Sequence, residues 1–179
     1  RKATQIWNEV ERLARSVGDR VIGAVACINL ARSSLQQGKL QDAENHLARL
    51  GPMMDTSLNI RVYANAMRVH ANLAVLKGNF EAAERYCEKV LDAAESSGNR
   101  TLSAIALSSR ASVGVAQFLE GKPERGAEAE TDILQAIALF EEMGDTLELE
   151  RAMIIRARLE RARGQEENAR AIENSIGRN

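Results

Sequence analysis

The sequence predicts an all-α fold, a superhelical stack of antiparallel helix pairs with about nine helices, and three observations carry that expectation. The first is composition. Of 179 residues 28 are Ala, aromatics make up 3% and there are two Pro. Ala favours helices, whereas strands want the β-branched and aromatic residues that are scarce here. The second is a recurring turn: Gly38-Lys39-Leu40, Gly78-Asn79-Phe80, Gly121-Lys122-Pro123 and Gly164-Gln165-Glu166, spaced 40, 43 and 43 residues apart. The third is a register of small side chains around that turn. Seven residues before each turn Gly stand Ala31, Ala71, Gly114 and Ala157; five residues after it stand Ala43, Ala83, Gly126 and Ala169. Ala and Gly together fill fewer than one position in four, so eight small residues in eight places mark a repeat rather than composition.

The elements follow in order. A first helix over 3–17 stops at Gly18, and Asp19 caps a second over 20–37. Gly38 turns the chain into a helix over 40–50, and the small sites let the two backbones approach. Gly51-Pro52 opens a degenerate turn, with a looser stretch through Ser57 and Asn59 before a helix over 58–77. Gly78 leads to 80–97, Gly98-Asn99 to 100–120, Gly121 to 124–143, Gly144-Asp145 to 146–163, and Gly164 to 166–176. Apolar residues keep helical spacing within them: Ile28, Ala31 and Leu35; Val69, Leu73 and Leu76; Ile133, Ile137 and Phe140. The whole of 1–179 thus reads as one repeat domain, with a half pair at 1–18 and pairs at 20–51, 58–97, 100–143 and 146–176. A chain that opens mid-pair, on Arg-Lys without a Met, is expected to be a fragment of a larger protein.

The small–Gly–small register resembles the tetratricopeptide repeat over nearly the whole chain. Leu40 and Phe80 match that family's apolar-or-aromatic site two residues after the turn, and Leu47 its apolar site nine residues after. Cys27, Met67, Arg110 and Met153 stand where the family commonly has Trp, and Ser34, Ala74, Gln117 and Glu160 where it has Tyr. Glu130 and Glu173 replace the apolar residue at the Leu47 site, and the period exceeds the usual 34 residues. Long helices with Gly-Asp turns are most similar to the repeat arrays of large bacterial regulators, the maltose-regulon-activator type of LuxR-family regulator and related signalling ATPases and kinases. The resemblance implies a cytoplasmic interaction module.

Other functions find little support in the residues. A formal net charge of −1 gives no field for nucleic acid, and the longest uncharged run, Val21 to Ala31, is far short of the roughly 20 residues a membrane span needs. No signal peptide is visible. Cys27 and Cys87 are isolated and read as small buried residues; His46 and His70 lack companions at metal-ligand spacing. No nucleotide, hydrolase or metalloprotease motif occurs, and Gly114 and Gly126 read as close-packing sites rather than a phosphate loop. No cofactor, metal or catalytic residue is therefore expected.

The first helix of each pair is expected to line the inner groove of such a stack. By register the inward residues are Val25, Ile28, Arg32 and Leu35; Asn65, Arg68, Asn72 and Val75; Ser108, Ala111, Val115 and Phe118; Arg151, Ile154, Arg158 and Arg161. Arg32, Asn65, Arg68, Asn72, Phe118 and Arg158 are the candidate binding residues. Arg68 and Asn72, one turn apart, match the relation by which some tetratricopeptide domains hold a peptide carboxylate, but Ser108 and Ser112 stand where further clamp residues belong. Arg151, Arg158 and Arg161 read as a solvated face paired with Glu148, Glu150 and Glu160. The charged outer residues include Glu81, Glu84, Arg85 and Glu88. The expected function is non-catalytic protein or peptide binding within a transcriptional or signalling regulator. A small-molecule or autoinducer-peptide sensor and a self-association scaffold are the alternatives.

Overall fold

The computed structural model describes residues 2–51 and 59–177, and among these the chain forms nine helices and no strand. They are α1 Lys2–Val17, α2 Arg20–Gln36, α3 Leu40–Ala48, α4 Ile60–Leu76, α5 Phe80–Ser97, α6 Arg100–Leu119, α7 Glu124–Met143, α8 Thr146–Ala162 and α9 Glu166–Ser175. The stretch expected to be looser, from Pro52 through Ser57, lies outside the described residues. Asn59 at its end does cap α4, its Oδ1 accepting from the Arg61 amide at 3.0 Å.

The turns form for the reasons the sequence supplies. At Gly144, φ is +67°, a region costly for any residue with a Cβ. The Asp145 amide then reaches back to the Phe140 carbonyl at 3.0 Å and closes α7. The Asp145 side chain caps α8 by accepting from the Glu148 amide at 3.2 Å, so one dipeptide ends a helix and begins the next. Asp19, Asn79 and Asn99 cap α2, α5 and α6 in the same way.

Ala31, Ala71, Gly114 and Ala157 are all buried, as are Ala43, Ala83, Gly126 and Ala169. Ala71 and Ala83 share one buried cluster, whereas in the α6–α7 pair the contacts are offset from direct facing of the two glycines. A Cβ on Gly114 would meet the Ala129 Cβ at 3.0 Å, and one on Gly126 would meet the Phe118 ring at 2.8 Å. α6 and α7 therefore interleave by about a turn, Gly114 receiving Ala129 and Gly126 receiving the Phe118 ring. The main core runs from Ala24 through Phe140 to Leu159; burying a side chain such as Phe140, 0% exposed, contributes about 2–3 kcal/mol. A smaller cluster of Ala71, Ala74, Ala83, Cys87 and Val113 lies under the α4–α5 turn.

The curvature follows from which helices touch. Successive first helices, α2, α4, α6 and α8, pack on one another, while α3, α5, α7 and α9 make no comparable mutual contacts among the described residues. The second helices splay, and a wedge of about 520 Å³ opens between α5 and α7, floored by Val113 and Gly114 of α6. The first helices consequently form the concave layer. Among the described residues α6 is the one helix long and apolar enough to cross a membrane, and most of it is buried in this core.

Candidate functional site

The concave layer closes further than a shallow groove would. Arg68 of α4 reaches over to Glu148 of α8, with Nη1 donating to Oε2 at 2.6 Å and Nη2 to Oε1 at 3.3 Å. Both side chains are nearly enclosed, at 11% and 3% exposed. Asn65 and Arg151 complete the group: Asn65 Oδ1 accepts from Arg68, and Arg151 donates to Glu148. Burial pushes the Glu148 carboxyl up, but the Arg68 hydrogen bonds and the charges of Arg68 and Arg151 outweigh it and hold the group below its ordinary value.

This bridge overturns part of the sequence reading. Ser108, Ala111 and Val115, expected along the groove from the third pair, are 1%, 0% and 1% exposed. With α4 and α8 drawn together across α6, the inward face of α6 becomes core. Ser108 is left with a buried hydroxyl that has no partner among the described residues.

Beside the bridge the layer remains open. A cavity of about 280 Å³ lies between α2, α4 and α8. Val25, Ile28, Val62 and Leu147 supply its apolar walls; Asn29, Arg32, Asn59, Arg61, Asn65 and Arg151 supply polar groups, and the Glu148 carboxylate, already engaged by Arg68 and Arg151, borders it as well. Leu147 is 57% exposed. Arg61 donates to Asp145 at 2.8 Å. Burial, then the like charges of Arg68 and Arg151, push the Arg32 guanidinium down to about 10, with Glu148 only partly opposing them.

Of the six candidate residues, Arg32 and Asn65 line the cavity and Arg68 forms the bridge behind it. The other three are elsewhere. Asn72 is exposed, and Arg68, bound to Glu148 and Asn65, is not paired with it as a carboxylate grip. Phe118 lies over Gly126 in the α6–α7 contact, because the missing Cβ there leaves room for a ring. Arg158 is exposed and outside the cavity. On the arginine face, Arg151 pairs with Glu148 as expected, but Arg161 pairs with Glu166 and Glu173 of α9 at 3.1 and 3.0 Å rather than with Glu160. Leu147, Arg61 and the structural role of Glu148 were not picked out by the sequence. An apolar residue two positions after an Asp cap, where helix periodicity would want a polar one, is the signal that could have found Leu147.

The other reactive groups are engaged in packing. Cys27 and Cys87 are buried, and burial pushes their thiols up to about 11 and about 12, away from thiolate. His70 stacks on Tyr86 with ring centroids 4.9 Å apart, and burial followed by the Lys89 charge lowers its pKa. Among the described residues no three His, Cys, Asp or Glu side chains gather into a set that could hold a metal. No protein-family model matches this chain, and no curated protein matches its sequence.

Proposed function

We propose that this chain is a non-catalytic module that binds a protein or peptide along its concave layer, serving as the tetratricopeptide-like regulatory part of a cytoplasmic bacterial transcription or signalling regulator. The observation that carries the reading is the open cavity at α2, α4 and α8, where apolar walls meet a few guanidinium and amide groups. Its volume suits one or two side chains of an extended segment. Binding there would bear on α2, α4 and α8 together, so a partner could shift the packing of neighbouring pairs.

The test is comparative capture from extracts of the source organism. Leu147→Asp places a charge on the apolar wall, and Glu81→Gln alters an exposed outer residue of α5. Glu84 would be a poor outer control, because it accepts from Gln117 at 3.1 Å and pairs with Arg125. The partner retained by the parent should be retained by Glu81→Gln and weakened at least about tenfold by Leu147→Asp. Equal retention by Leu147→Asp, with loss in Glu81→Gln, would transfer the function to the outer helices.

A further inference from the structure

We infer that the cavity beside Arg32 is a subsite for an oxyanion carried on an aliphatic body, the chemistry of an acidic residue within an otherwise apolar peptide segment. The inference rests on the concave layer being the binding face and names the chemistry that face selects. Charge accounting leads to it. Four guanidiniums, Arg32 from α2, Arg61 and Arg68 from α4 and Arg151 from α8, meet two carboxylates, Asp145 and Glu148. Both carboxylates are engaged: Asp145 accepts from Arg61 and from the Glu148 amide, and Glu148 accepts from Arg68 and Arg151. Arg32 has no hydrogen bond or ion pair among the described residues, yet it is half-buried with its like-charged neighbours close by.

A desolvated cation whose nearest carboxylate, Glu148, is already shared by two other guanidiniums is under-compensated in the free protein, and a ligand that brings a further counter-charge relieves it. One guanidinium offers the paired donors that match the two oxygens of a carboxylate. The surrounding walls narrow the choice. Inorganic phosphate, with four oxygens to satisfy, would face Val25, Ile28, Val62 and Leu147, whereas a carboxylate on a branched aliphatic body sets its apolar part against them.

The experiment titrates the purified chain with sodium isobutyrate, inorganic phosphate and sodium chloride at matched ionic strength and pH 7, following the thermal midpoint and the arginine Nε–H NMR signals. Arg32→Met keeps the apolar stem and removes the charge; Arg85→Gln removes an exposed outer charge. Isobutyrate should give a saturable rise in midpoint and move one arginine signal, more tightly than phosphate and beyond chloride. Arg32→Met should melt no lower than the parent and bind isobutyrate at least about tenfold more weakly, with Arg85→Gln unchanged. A structural arginine would instead lower the midpoint when removed. No partner enters this titration, so its failure beside a successful capture experiment removes the anion subsite alone, and the reverse removes the partner reading alone. An Arg32→Met variant that responds like the parent, or a chloride response equal to that of isobutyrate, overturns the subsite; tighter phosphate binding overturns the carboxylate assignment.

Discussion

Glu148 is held almost out of water by two guanidiniums from different helices, and such a carboxylate is sensitive to the loss of either. Arg68→Ala should cost about 3 kcal/mol, at the low end for breaking a buried pair because Arg151 remains. Urea unfolding of the single variants and of Arg68→Met combined with Glu148→Met checks this: the double variant should recover most of the loss. The sign of the pH dependence is fixed as well. The folded pKa of Glu148 lies below its ordinary 4.5, so its contribution is fully present above that value and is lost as pH falls through the lower, folded value. Glu148→Gln should therefore flatten the stability profile below about pH 4.5 and leave its shape near neutrality unchanged. Ser108 offers a contrary case. Its buried, unpartnered hydroxyl predicts that Ser108→Ala is neutral or raises the thermal midpoint. The Arg151–Glu148 pair, three residues apart on one helix, was legible in the sequence; the Arg68–Glu148 bridge was not, because those residues are 80 apart and periodicity reports only on neighbours along a helix.

At the scale of elements most of the fold was legible. Gly stops, Asp and Asn caps and the small-residue register are local signals, and they locate the helix ends to within two residues from Asp19 to Ser175. What register could not give is the offset of the two helices in a pair, since it specifies where the small residues stand but not which large one fills the space. Gly114→Ala separates the two effects. Ala gains about 1 kcal/mol in helix propensity, but its Cβ would stand 3.0 Å from that of Ala129, which is fixed to the α7 backbone and cannot turn aside. Separating α6 from α7 should outweigh the gain and leave a net loss of about 1 kcal/mol by chemical denaturation. Ala83→Leu, at a site 0% exposed in the cluster with Ala71, should cost about 1–3 kcal/mol; a melting point within a degree of the parent would contradict the packing described.

For the whole molecule, splayed second helices and converging first helices are two sides of the same curvature. The outer gap between α5 and α7 and the inner bridge from α4 to α8 both follow from it. The sequence reading placed binding on the first helices but extended it over four pairs; closure across α6 confines the open part to the cavity by Arg32 and Leu147. Hydroxyl-radical footprinting of the chain with its captured partner tests that confinement most directly. Leu147 on α8 and Leu134 on α7, 57% and 41% exposed, are comparable reporters on the inner and outer layers. Partner binding should slow oxidation of Leu147 severalfold and leave Leu134 at its free rate; protection of Leu134 with Leu147 unchanged would place the partner on the outer helices and contradict the account.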